Sequence, residues 1–326
     1  MIQERKRMID ILMILGGLVL LFFGGEGLIK GAVSLARNFG LSKLLVSAVV
    51  VGFGTSMPEM TVSVGAALKG ASDIAIGNVV GSNIANILLI VGIAAIMCSI
   101  FIAGAAVKRD TFVMLGASLA LCGLAMTGMI SFAAGLVMFA ALIAYIAWSY
   151  MQDKKAGEET VAHIEEDIEG EPQLSRVKAS AFALGGLVLL IGGAYILVEG
   201  AVSIARGFGI SEAVIGLTIV AVGTSLPELA TAVVAAMRKH SDVIIGNIVG
   251  SNIFNILAIL GVTAMISPIP IGQQIATYDV WIMLGVAAFL SIYLLRGLTI
   301  GRISGLAMLG AYIIYTAWLY MNGMSA

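Results

Sequence analysis

Glu59 and Glu228 each sit in the same short frame, embedded in long apolar stretches. GTSMPEM runs from Gly54 to Met60 and GTSLPEL from Gly223 to Leu229, at a constant offset of 169. Each frame sets two hydroxyls beside the carboxylate, Thr55 and Ser56 in one, Thr224 and Ser225 in the other, together with Pro58 or Pro227. An ionisable side chain at membrane depth is costly and marks a functional site by default. On a helix, Thr55 and Glu59 share a face, as do Thr224 and Glu228. The prolines cannot donate to the carbonyls at Gly54 and Gly223, and carbonyls freed in this way are tolerated only where they line a cavity or hold a cation.

A second duplicated block follows each frame. Residues 71–92 and 240–261 are identical at 15 of 22 positions, again at an offset of 169. They supply Asn78, Ser82 and Asn86, and Asn247, Ser251 and Asn255, each set spaced by four. The ligands on offer are carboxylate, hydroxyl, amide and carbonyl oxygens, without His or Cys, which is an inventory for a hard cation. Calcium takes about 6–8 oxygens: two bidentate carboxylates and a broken-helix carbonyl from each copy supply about six, and the charges cancel. Magnesium fits less well, because it dehydrates reluctantly. The neutral oxygens suit sodium at flanking positions, so one divalent ion could exchange for several monovalent ones.

These residues need a membrane scaffold. Of the 326 residues 60% are hydrophobic and 11% charged, and mean hydropathy is +1.06; soluble domains carry about 25% charged residues. The apolar runs are continuous rather than alternating, which excludes a β-barrel and predicts an all-α integral membrane protein. The spans are expected near 8–35, 42–68, 73–100, 111–129, 131–151, 178–205, 211–237, 242–266, 279–296 and 302–321. That makes ten transmembrane helices as two five-helix repeats, 1–151 and 178–326, joined by a polar linker loop at 152–177. An odd number of spans per half turns the second copy over, giving inverted repeats around a shared site. Of the 18 Lys and Arg, 12 fall on the side of the linker and 5 on the other, with Lys30 inside the first span. The linker is therefore expected in the cytoplasm and both termini outside.

Other features read as structural. Gly77, Gly81, Gly246 and Gly250 are expected to let helices cross closely. Cys98 and Cys122 read as small buried hydrophobes. Glu26, Lys30 and Glu199 read as snorkelling side chains near span ends. The eight linker acids (Asp153, Glu158, Glu159, Glu165, Glu166, Asp167, Glu169, Glu171) read as a solvated loop, and His163 and His240 as isolated loop residues. A net charge of −1 argues against a nucleic-acid partner. No cleavable leader pattern precedes the first span, and no spacing of an enzyme's nucleophile and base appears.

The two GTS-PE elements, each followed by GSNI-x-N, resemble the α-repeats of the sodium/calcium exchangers in the calcium:cation antiporter superfamily, prokaryotic type, over nearly the whole chain. The resemblance implies that Glu59 and Glu228 are the central calcium and sodium ligands. It implies Thr55, Ser56, Thr224 and Ser225 as hydroxyl ligands, backbone carbonyls from Gly52 and Ala221, and Ser82, Asn86, Ser251 and Asn255 completing the ring. Calcium and sodium would be transported substrates, with no organic cofactor and no obligate protein partner, in a monomer of a prokaryotic plasma membrane. The first and sixth helices would slide across a rigid core by alternating access. Potassium-dependent relatives carry Asp where Asn255 stands, which implies potassium independence. Proton/calcium exchangers carry a GN-x-x-E signature that this chain lacks. Proton/calcium exchange and, further off, a cation channel remain as alternatives.

Overall fold

The computed structural model describes residues 2–166, 174–208 and 221–323. It is nearly all helical: α1 (Ile2–Phe39), α2 (Lys43–Thr55), α3 (Met57–Leu68), α4 (Ser72–Met97), α5 (Ala105–Met126), α6 (Phe132–Glu166), α7 (Arg176–Gly207), α8 (Ala221–Thr224), α9 (Leu226–Met237), α10 (Ser241–Ile266), α11 (Ile275–Arg296) and α12 (Arg302–Gly323). Among the described residues eight helices are long and apolar enough to cross a membrane, or nine with the bent pair α2–α3 counted as one span. Of the expected span 211–237, residues 211–220 lie outside the described residues, and α9 is its apolar remainder.

Two helices form the centre. Every residue in the apolar window of α10 is buried, and most of that of α4. Both switch from α to π winding at the candidate ligand asparagines, over Asn86–Val91 in α4 and Asn255–Leu260 in α10. A π turn offsets the backbone ladder by one residue and is common at functional sites. The outer helices pack by close backbone approach. A Cβ placed on Gly17 would meet the Gly193 carbonyl at 2.7 Å, and one on Gly24 would meet the Leu190 amide at 2.8 Å and the Gly186 carbonyl at 2.9 Å. These glycines seat α1 along α7.

Contacts between the two sequence copies come in reciprocal pairs. Ile130 pairs with Ile269 in a short antiparallel ladder (β1, Met129–Ile130; β2, Ile269–Pro270), and Ile100 pairs with Ile300. Gly135 packs on Gly261, and Gly305 packs on Gly92. With shifts of 169 or 170, each contact is the other with its two ends exchanged.

Helix α6 does not stop where the polar stretch begins; it continues to Glu166. Asp153 is buried rather than solvated. Its Oδ1 lies 3.2 Å from Arg109 Nη1, and its Oδ2 accepts from the Ser42 amide at 2.9 Å and from the Ser42 hydroxyl. Arg109 also holds Asp110 at 2.7 Å. This network joins α5, α6 and the start of α2. Asp167, Glu169 and Glu171 lie outside the described residues, as do the side chains of Glu158, Glu159, His163, Glu165 and Glu166. Glu26 pairs with Arg238 at 2.7 Å, and the Lys30 ammonium lies over the Phe182 ring.

Candidate cation site

The proline frames form their break as a stop and restart. Ser56 leaves the helical conformation (φ −82°, ψ 6°) and ends α2, and Pro58 then occupies the first turn of α3, where no amide is needed. The axis bends by 46° there. Ser225 and Pro227 repeat this between α8 and α9. Each break sets its carboxylate in the first turn of the following helix, where the dipole favours negative charge.

Glu59 and Glu228 are each 1% exposed. Each takes its hydroxyl from the other copy: Ser225 donates to Glu59 Oε1 at 3.0 Å, and Ser56 donates to Glu228 Oε1 at 3.1 Å. Thr224 lies against the Glu59 carboxylate, and Thr55 against that of Glu228. Both second oxygens, Oε2 of Glu59 and Oε2 of Glu228, are buried with no hydrogen-bond donor among the described residues.

The candidate amides Asn86 and Asn255 are aimed by residues that sequence reasoning passed over. Asn86 donates to Asn252 Oδ1 at 3.0 Å, and Asn255 donates to Asn83 Oδ1 at 2.9 Å. With their amide nitrogens tied, Asn86 Oδ1 and Asn255 Oδ1 are left buried without donors. Asn83 and Asn252 stand inside the GSNI-x-N blocks, so the repeat was the available signal. Asn78 binds the Glu59 carbonyl at 3.1 Å and Asn247 the Glu228 carbonyl at 3.5 Å, which fastens the broken helices to α4 and α10.

The two ends of the site differ. Ser251 donates to the Gly52 carbonyl at 3.2 Å, and the Ser56 amide and Thr55 hydroxyl also bond that carbonyl, so this end is closed by internal hydrogen bonds. A Cβ on Gly246 would meet the Leu44 carbonyl at 2.7 Å, and one on Gly250 the Ala48 carbonyl at 2.5 Å. At the other end Gly77 and Gly81 make no such crossing among the described residues. Gly77, Gly81 and Ser82 instead line a cavity of 490 Å³ that reaches Thr224 and Ser225. The expected close crossing holds for Gly246 and Gly250; residues 213–217, which the repeat would set against Gly77 and Gly81, lie outside the described residues. Ala221 begins α8, and no contact of its carbonyl with the other candidate ligands is described.

Two carboxylates and the hydroxyls of Ser56 and Ser225 thus form buried pairs built equally from both copies, and with Asn86 Oδ1 and Asn255 Oδ1 four buried acceptor oxygens lack donors among the described residues. Buried acceptors are seldom left unpaired, because each costs about 1–3 kcal/mol. A desolvated cation is the partner that this oxygen set fits.

Comparison with known proteins agrees. The family profile described as sodium/calcium exchanger protein matches residues 9–151 and 178–321. The inner membrane protein YrbG of Escherichia coli (strain K12) is 33% identical over 309 residues, covering 93% of this chain and 94% of its own. The sodium/calcium exchanger MaX1 of Methanosarcina acetivorans is 30% identical over 347 residues, covering 96% and 99%. Among solved structures, the sodium-calcium exchanger NCX_Mj soaked with 10 mM Na⁺ and 10 mM Sr²⁺ superposes with a TM-score of 0.82 at 31% identity, covering 95% of this chain and 98% of that one. With a matched profile over most of its length and full-length relatives on every side, this all-α integral membrane chain belongs to the sodium/calcium exchanger family.

Proposed function

We propose that this chain exchanges sodium for calcium across the plasma membrane by alternating access, with Glu59 and Glu228 as the central ligands. One observation carries the reading: Glu59 Oε2, Glu228 Oε2, Asn86 Oδ1 and Asn255 Oδ1 are buried without donors, two from each sequence copy. The hydroxyls of Thr55, Ser56, Thr224, Ser225, Ser82 and Ser251 and the carbonyls of Gly52 and Ala221 complete the oxygen set. Calcium cancels both carboxylate charges and is accepted as a neutral unit. Sodium ions held by overlapping oxygens compete for the same carboxylates, so occupancy by one ion expels the other.

The coupling follows from electrostatics. A site with an uncompensated carboxylate would expose a buried charge during the switch, which is strongly disfavoured. Only a fully loaded site moves. If more than two sodium ions replace one calcium, net charge crosses the membrane and the rate depends on voltage. A neutral Asn255 lacks the extra charge that a potassium ion would need, which supports potassium independence.

We read the scaffold as ten helices in two inverted repeats, 1–151 and 178–326, joined by the linker at 152–177 in the cytoplasm, with both termini outside. The reciprocal contact pairs support a two-fold relation, and the excess of Lys and Arg on the linker side supports the orientation. The cavity at Ser82 and Thr224 then opens outward. The glycine-seated α1 and α7 form the pair able to slide across the core. The protein acts alone, without an organic cofactor.

The test is radioactive calcium uptake into sodium-loaded liposomes diluted into sodium-free medium, with potassium-loaded and pH-gradient controls. Uptake only from sodium-loaded vesicles is the expected result. Uptake driven by a pH gradient would reassign the coupling ion to the proton, and uptake without any counter-ion would make the site a pore.

A further inference from the structure

A carboxamide can turn either its oxygen or its nitrogen toward a neighbour, and the two ends are nearly the same size. Asn86 and Asn255 serve a cation only with the oxygen toward it. Two further asparagines, Asn83 in α4 and Asn252 in α10, decide which end that is. They are 1% and 2% exposed and stand outside the proposed ligand set. The offset of 169 carries Asn83 to Asn252, Asn86 to Asn255 and Met114 to Met283.

Asn83 Nδ2 donates to the Asn252 carbonyl at 3.3 Å and to Met283 Sδ at 3.7 Å. Asn252 Nδ2 donates to the Asn83 carbonyl at 3.4 Å and to Met114 Sδ at 3.9 Å. A backbone carbonyl and a thioether can only accept. Each amide nitrogen is thereby held on its acceptors, and each amide oxygen is turned to the other side. There Asn83 Oδ1 meets Asn255 Nδ2 at 2.9 Å, and Asn252 Oδ1 meets Asn86 Nδ2 at 3.0 Å. Asn255 and Asn86 must donate to those oxygens. Their own oxygens are then the free ends, buried and without donors among the described residues. The arrangement is crossed: Asn83 of α4 sets the candidate ligand of α10, and Asn252 of α10 sets that of α4. Both helices enter π winding at the asparagine that is set. Joining α4 to α10 would need only the two bonds to backbone carbonyls; the bonds to Asn86 and Asn255 commit both remaining amide oxygens to the candidate ligands.

We propose that Asn83 and Asn252 are positioning residues of the cation site, which lock Asn255 and Asn86 with their oxygens toward the ion. The proposal rests on the transport reading above for the ligand role of Asn86 and Asn255. Without the lock, a released amide can turn its hydrogens to the ion, which repels the cation and removes one oxygen from its shell.

A carboxylate has two equivalent oxygens and needs no lock, which gives a crossed test. Calorimetric calcium titrations of the protein in lipid nanodiscs measure affinity without exchange. Asn83→Leu is close in shape to the native side chain and removes the amide; it should weaken calcium binding by about tenfold or more. The same change should have little effect in an Asn255→Asp background and its full effect in an Asn86→Asp background. Asn252→Leu should show the reverse pattern, so that each lock couples to one ligand. In liposomes, Asn83→Leu should raise half-saturating calcium with the maximal rate of sodium-driven uptake kept. Asn83→Ala and Asn252→Leu carry the test if Asn83→Leu does not fold. Unchanged calcium affinity in Asn83→Leu, or equal penalties in the two Asp backgrounds, would overturn the lock. Calcium binding by the native chain without sodium-driven uptake would overturn the exchange reading alone, and the calorimetric pattern would still decide the lock.

Discussion

Glu59 takes its hydrogen bond from Ser225, 166 positions along the chain, at 3.0 Å. The carboxylate of each copy is bonded by a hydroxyl of the other, so on the proposed reading neither copy holds a complete site alone. This predicts that Glu59→Gln and Glu228→Gln each reduce sodium-driven calcium uptake by about 100-fold or more, and that the double variant is little worse than either, since groups acting as a unit are non-additive. Initial uptake rates in liposomes check this. Half-normal uptake in either single variant would break the two-carboxylate site.

The reciprocal bond, Ser56 to Glu228 at 3.1 Å, makes a finer prediction. A hydrogen bond to a charged group contributes about 1.5–3 kcal/mol. Ser56→Ala and Ser225→Ala should therefore each raise half-saturating calcium about 10- to 100-fold, by similar amounts. Calcium titrations of uptake decide it. A large effect in one and none in the other would show that the two halves bear the ion unequally.

Much of this centre was legible in the sequence because it is written twice. The glutamates, hydroxyls and prolines repeat at one offset, and one copy vouches for the other. What the repeat could not show is how distant parts meet: Gly246 is pressed against the Leu44 carbonyl, a contact that no local spacing announces. The roles of Asn83 and Asn252 were hidden for a related reason: an amide that aims another amide has the same spacing signature as a ligand. Asp153 was misread as a solvated linker acid because its partners, Arg109 and Ser42, are 44 and 111 positions away.

Packing of α1 on α7 yields a controlled pair. A Cβ at Gly193 would meet the Gly17 carbonyl at 2.9 Å, whereas one at the adjacent Gly192 meets nothing within 4 Å among the described residues. Gly193→Ala should destabilise by about 1–3 kcal/mol through overpacking. Gly192→Ala should be neutral or stabilising by up to about 1 kcal/mol, from helix propensity alone. Thermal unfolding in detergent compares them, and equal midpoints would mean that the helices part without cost.

The buried Asp153 network gives the last prediction. Asp153 accepts from Ser42, the N-cap of the first turn of α2, and faces Arg109 at 3.2 Å. Removing one partner of a buried ion pair costs about 3–5 kcal/mol, since the remaining charge loses its compensation. Here Asp110 still holds Arg109, so Asp153→Ala should fall at the lower end of that range. Asp153→Asn keeps an oxygen for the Ser42 amide and loses only charge, so it should cost less. The order of unfolding midpoints should be native, then Asn, then Ala. Because Ser42 begins the helix that carries Thr55 and Ser56, Asp153→Ala should also weaken calcium affinity in protein that remains folded. An Ala variant as stable as the native chain would show that the contact is dispensable and that α2 is positioned by its helix packing, on α10 and α1.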